Sequence, residues 1–267
     1  MRTFSEPDRT TNLTVGLIPA RWHSTRFEGK PLALINDVPM IQRVYDRATQ
    51  CKELDTVVVL TDDKRINDYC VNNEIRCIVI EEECATGTDR CAKALELIDG
   101  DIFVNIQGDE PLIDPNAIDT LIHNHNKEIG VSNAYIVLDR DELWHKLHDQ
   151  NVVKCVIDMH DNAMYYSRFG IPYDKGDEPC FFQQLGLYVF NRETLEQFAN
   201  MPVGPVEKAE GIEMLRFLEN SWTVNSSVTN MYYMFANTYN LNFDVSSWDV
   251  SKVTDMSYMF YNAHNFN

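Results

Sequence analysis

Thr56-Val-Val-Val-Leu60 is the stretch on which the fold turns. An alternating apolar and polar pattern marks a sheet with one wet face. An unbroken β-branched run marks a strand covered on both faces, as strands of a parallel sheet are. Outward from it, residues 62–71 have helical spacing, 75–80 read as a short strand, 88–98 as a helix and 102–106 as a strand. Toward the amino terminus, 13–18 is an apolar strand entering a loop punctuated by Pro19, Gly29 and Pro31, and 39–51 has apolar residues at helical spacing. Strands alternating with helices at this rhythm predict an α/β fold with a doubly wound, mostly parallel sheet. Ligands of such sheets sit beyond the carboxyl ends of the strands.

The pattern then changes. Residues 131–137, 152–157, 163–166 and 185–190 read as strands with hairpin-like spacing, and 191–199 and 207–219 as helices. This small α+β part is expected to supply a substrate pocket and a dimer surface. From Ser221 the composition shifts to Asn, Ser, Tyr, Met and Phe, and a repeat appears. Residues 228–242 align with 253–267 at an offset of 25, with nine of fifteen positions identical. The expected division is therefore 1–220, truncated at its C-terminal end, and 221–267, a partial repeat. Solenoid repeats need about three units for stability, so this segment reads as a fragment.

Over 267 residues the net charge is −18. A phosphate backbone would be repelled, which excludes nucleic acid as a partner but not a nucleotide held by a few local cations. No stretch of about 18 apolar residues is present to insert in a membrane. Residues 1–9 lack the apolar run of a secretory signal, so a cytoplasmic protein is expected. The seven cysteines show no Cys-x-x-Cys pair; buried free thiols are expected. His123, His125, His145 and His148, among Asn and Lys, read as solvent-facing residues.

Two loops at strand carboxyl ends carry unusual chemistry. Ile18-Pro-Ala-Arg-Trp-His-Ser-Thr-Arg-Phe-Glu-Gly-Lys-Pro-Leu32 is cationic in an otherwise acidic chain. Arg21, Arg26 and Lys30 would offset phosphate charge, and Gly29 would let backbone N–H groups come close; the combination suits a triphosphate. It is neither a Walker A loop nor Gly-x-Gly-x-x-Gly. Val104-Asn-Ile-Gln-Gly-Asp-Glu-Pro-Leu112 sets Asp109 where it can hold Mg²⁺, a hard cation that takes oxygen ligands. Thr86-Gly-Thr-Asp-Arg90 opens a helix whose free N–H groups are expected to receive an anion or a ribose.

These segments, in this order, resemble the CMP-Kdo synthetase family (3-deoxy-manno-octulosonate cytidylyltransferase). Pro19 to Leu32, Thr86 to Arg90 and Gln107 to Pro111 meet its motifs; Tyr165 to Pro172, Leu185 to Tyr188 and Pro205 to Arg216 are similar to others. The resemblance implies a Rossmann-like, nucleotide-diphospho-sugar transferase-like fold. It implies CTP and a keto-sugar acid as substrates, Mg²⁺ as cofactor, a homodimer, and a place in lipopolysaccharide biosynthesis. By resemblance, Pro19, Ala20, Arg21, Ser24, Thr25, Arg26, Lys30, Gly87, Thr88, Arg90 and Gln107 would bind the nucleotide. Lys30, Asp109 and Arg26 would be catalytic, with Asp109 on the metal. Arg168, Gln184, Tyr188 and Glu213 would face the sugar acid. Gln184 stands where the family has His and Met214 where it has Gln, which points to a modified octulosonate such as an amino-sugar analogue. The family's closing Gly-[Ile/Val]-Asp-Thr-Pro-Glu-Asp segment, with a second Mg²⁺ ligand, is replaced by the repeat. The repeat resembles the BspA-like surface-protein repeat. Two alternatives stay open on the residues alone: a catalytically impaired fusion acting as a scaffold for the repeat, and a cytidylyltransferase for another keto-sugar acid.

Overall fold

The computed structural model describes residues 12–23, 27–138, 140–175 and 181–230. In chain order the first half runs β1 (Thr14–Ala20), a 3-10 turn (Lys30–Leu32), β2 (Leu34–Ile35), β3 (Val38–Pro39), α1 (Met40–Ala48), β4 (Thr56–Thr61), α2 (Lys64–Asn72), β5 (Cys77–Val79), α3 (Gly87–Ala94), β6 (Ile102–Ile106) and α4 (Pro115–His123). The second half runs β7 (Val131–Val137), α5 (Arg140–His148), β8 (Lys154–Ile157), β9 (Ala163–Ser167), β10 (Phe182–Asn191), α6 (Arg192–Asn200), α7 (Pro205–Glu210), α8 (Leu215–Glu219) and β11 (Asn225–Asn230). The main sheet has the order β11-β7-β10-β6-β1-β4-β5, with β8 and β9 attached through β10. Neighbouring strands are parallel except where β10 meets β6, β7 and β8 and where β8 meets β9.

The unbroken apolar runs follow from burial on both faces. In β4, Val58 and Leu60 enter one core while Val57 and Val59 enter the other. Val15 and Leu17 of β1 likewise oppose Ile18 and Ala20. Each fully buried side chain of this size contributes roughly 1.5–3 kcal/mol. One core is closed by α3, α6 and α8, the other by α1, α2 and α4. Caps start these helices where the sequence places them: Asp63 accepts from Arg65 N, Thr86 and Asp89 form a capping box, and Asp114 caps α4 with Pro115 at its first position.

Three expectations are corrected. The single helix over 207–219 is two, because Gly211 takes the left-handed conformation (φ 63°) that ends α7. The composition shift at Ser221 does not end the sheet: β11 pairs in parallel with β7 from Asn225↔Ser132 onward. His125 is not solvent-facing; it is 8% exposed, with Nδ1 2.9 Å from Ser132 Oγ and Nε2 3.0 Å from Asn191 Oδ1. Burial lowers its pKa below the usual 6.5, against the Asn191 hydrogen bond. His123, His145 and His148 are exposed as expected. The described cysteines are free: Cys51, Cys70, Cys91 and Cys155 are buried, Cys77 and Cys84 half-buried. The repeat beyond residue 230 lies outside the described residues.

Candidate active site

The carboxyl ends of β1, β4 and β6 gather the loops that carry charge. After β1, Trp22 O accepts from Gly29 N at 2.9 Å and closes the loop on itself. Lys30 then begins the 3-10 turn with Pro31 behind it. Its Nζ reaches Asp109 Oδ2 beyond β6 at 2.5 Å, across 79 residues of sequence. Both side chains keep access to solvent, at 34% and 47% exposure, so the pair remains open to a ligand. Ser24, Thr25 and Arg26 lie outside the described residues.

The N-terminus of α3 differs from expectation. Its Gly87 and Thr88 N–H groups do not point to an open site. They donate to the two carboxylate oxygens of Glu213, at 3.1 and 3.2 Å, and the Thr88 hydroxyl bonds the same carboxylate. Local sequence shows vacant N–H groups; the acceptor arrives from a loop 126 positions away. Burial raises the Glu213 pKa, opposed by these Thr88 and Gly87 hydrogen bonds. Arg90 is 4% exposed, its Nη2 on Asp62 Oδ2 at 2.6 Å and its Nη1 on Ile80 O at 3.2 Å.

A buried ion cluster ties α7 and α8 to α3. Arg216 Nε and Nη2 bond both oxygens of Glu207, at 2.9 and 2.7 Å, and Nη1 bonds Asp89 Oδ1 at 2.7 Å. Burial opposes the guanidinium's charge, but Glu207 and Asp89 outweigh it and raise its pKa. Asp89 thus serves twice, capping α3 and holding Arg216.

These loops enclose a cavity of about 620 Å³, of the size expected for a small-molecule site. It brings together Pro19, Ala20, Arg21, Lys30, Gly87, Arg90, Gln107, Asp109 and Glu213 from the predicted residues. It does not bring the others. Thr88 is fully buried beneath Glu213. Arg168 spends its guanidinium on the carbonyls of Glu210, Gln150 and Gly211. Gln184 Nε2 donates to Tyr188 Oη at 3.2 Å, and both side chains are buried. Burial and the Glu213 charge push the Tyr188 phenol up. Met214 is fully buried in the core.

Sequence reasoning missed Asp62, Glu207, Lys208 and Arg216. Asp62 follows the carboxyl end of β4, and the strand-end rule alone points to it. Lys208, Glu207 and Arg216 line the α7–α8 wall, and no local signal marks them. Among the described residues, no group of three or more His, Cys, Asp or Glu side chains is placed to hold a metal ion.

Comparison with known proteins agrees with this geometry. Residues 15–226 match the family described as Cytidylyltransferase, and residues 212–267 match one described as Mycoplasma protein of unknown function. The chain is 39% identical over 226 residues to an 8-amino-3,8-dideoxy-manno-octulosonate cytidylyltransferase of Shewanella pealeana, covering 82% of this chain and 90% of that one. It is 40% identical over 217 residues to a 3-deoxy-manno-octulosonate cytidylyltransferase of Solibacter usitatus, covering 79% and 84%. A solved CMP:2-keto-3-deoxy-manno-octonic acid synthetase, complexed with CTP, superposes with a TM-score of 0.75 at 30% identity over 81% of this chain and 90% of that one.

Proposed function

Because the chain belongs to the cytidylyltransferase family, in its CMP-Kdo synthetase branch, we propose that it activates a 3-deoxy-octulosonate, Kdo or a close analogue, with CTP, forming the CMP-sugar and pyrophosphate. The observation that carries the reading is the meeting of Lys30 and Asp109 on one cavity wall with Arg21. The anomeric hydroxyl attacks the α-phosphorus of CTP, its oxygen bonds phosphorus, and the bond to the β-phosphate oxygen breaks. Such transfers depend on positioning and on neutralising phosphate charge. Lys30 and Arg21 supply cations on the phosphate side. Mg²⁺ takes one or two carboxylates and completes its shell with phosphate oxygens and water, so Asp109, a partly exposed carboxylate on the wall, fits as its protein ligand. The metal's contribution there is charge neutralisation across the phosphates.

The sugar has two candidates, since relatives are named for Kdo and for its 8-amino analogue. Work in the cytoplasm, where CTP is made, a role in lipopolysaccharide-type glycan synthesis and assembly as a homodimer complete the proposal. No described helix is long and apolar enough to cross a membrane. Exposed Met159, Met164, Phe169 and Tyr173 support a self-association face. The test is pyrophosphate release from CTP and Mg²⁺ with Kdo, with 8-amino-Kdo and with a nonulosonate. Release with an octulosonate, abolished by Asp109→Ala, is expected. No release above that variant with any of the three acids rejects the reading in favour of a scaffold for the repeat.

A further inference from the structure

The loop that carries Lys30 is gripped from outside by a contact the chemistry itself does not require. Trp22 is half-buried, and its indole Nε1 donates to Glu28 Oε1 at 3.1 Å. Over the ring lies the guanidinium of Arg65, with Cζ 3.6 Å from the centroid. Arg65 sits in the first turn of α2 and is held in turn. Asp63, the N-cap of that helix, accepts its backbone N–H at 2.8 Å and its Nε and Nη2 at 2.9 and 2.7 Å. The planar fork on one carboxylate leaves the guanidinium a fixed surface for the indole to rest on.

The same corner reaches the cavity from two sides. Asp62 holds Arg90 in the wall, while its neighbour Asp63 holds the cation against which Trp22 lies. Trp22 O in turn accepts the Gly29 N–H, and Lys30 is the next residue, opening a turn stiffened by Pro31. A swing of the indole therefore carries Gly29 and Lys30 with it. We infer that Trp22, clamped by Arg65 and Asp63, is a positioning residue that sets where Lys30 stands opposite Asp109. Small displacements of a charge-bearing group lower rates steeply even when the mutated side chain is away from the reacting atoms.

The inference rests on the cytidylyltransferase reading for its kinetic consequence, not for its structural one. The full chain is prepared as Arg65→Ala, Trp22→Ala and Trp22→Phe. Hydrogen exchange at Gly29 and Lys30 is measured together with the KM for CTP, the KM for the sugar acid and the melting temperature. Arg65→Ala is expected to speed exchange at these amides and to raise the KM for CTP about two- to fivefold, the range of an exposed cation–π contact. The KM for the sugar acid and the melting temperature should stay in place. Trp22→Ala should act more strongly, and Trp22→Phe, which keeps an aromatic face, should restore most of the effect. Exchange at Gly29 unchanged in both alanine variants overturns the inference. So does a parallel change in both KM values and the melting temperature that Trp22→Phe does not relieve, because that marks a core filler. An inactive wild type would defeat the proposed function, while the exchange data would still decide the clamp.

Discussion

Arg216→Ala should lower the unfolding free energy by about 3–5 kcal/mol, the usual consequence of leaving one member of a buried ion pair alone. The structure sets this magnitude. The Arg216 side chain is 2% exposed and that of Glu207 5%. Glu207 has both carboxylate oxygens on this one guanidinium, so the variant strands a charge where water does not reach. Asp89 is affected less, because it keeps the Thr86 hydroxyl and backbone N–H. The variant also loses the stacking of the guanidinium on Phe198, where Cζ lies 4.0 Å from the ring centroid. At about 2–4 °C per kcal/mol for a domain of this size, the melting point should fall by about 6–20 °C. Urea denaturation followed by circular dichroism measures the loss. The double variant Arg216→Met with Glu207→Leu removes both charges and should recover at least half of it. A single variant within about 1 kcal/mol of the wild type, or a double variant no better than the single, refutes the argument that an unpaired buried carboxylate is the cause.

Three shorter predictions follow from other parts of the molecule. His125 has a folded pKa below its ordinary 6.5, so the unfolded chain takes the proton first. Stability is then complete above that value and is lost as pH falls toward the folded one; urea midpoints should drop between neutral and mildly acidic pH, and a slope unchanged in His125→Gln would contradict this. Cys84 lines the cavity with its thiol pKa raised above 9.0, chiefly by burial. Maleimide labelling at Cys84, followed by mass spectrometry, should be slow at neutral pH, faster in alkali and slowed by CTP; labelling indifferent to CTP would remove Cys84 from the nucleotide's neighbourhood. A Cβ at Gly108 would stand 2.7 Å from Pro19 O. Gly108→Ala should therefore force the ends of β1 and β6 apart, at about 1–3 kcal/mol, and depress pyrophosphate release more than Gly100→Ala at the far ends of the strands.

Sequence by itself determined the layered sheet and one half of the site. The run Thr56–Leu60 announces a strand covered on both faces because periodicity is a local property, set by neighbours along the chain. The charge of the Lys30 loop and the strand-end position of Asp109 are legible for the same reason. Their meeting at 2.5 Å follows once β1 and β6 are adjacent in a parallel sheet. Tertiary structure alone decided the opposite wall. The α3 N–H groups look vacant in sequence and are filled by Glu213; Arg168 looks like a ligand and is consumed by three carbonyls. Glu207 and Arg216 look like helix-surface charges and are buried against each other. No periodicity encodes such pairings. A hydrogen bond depends on which atoms arrive within about 3 Å, and that is settled by how α7 and α8 fold back over α3.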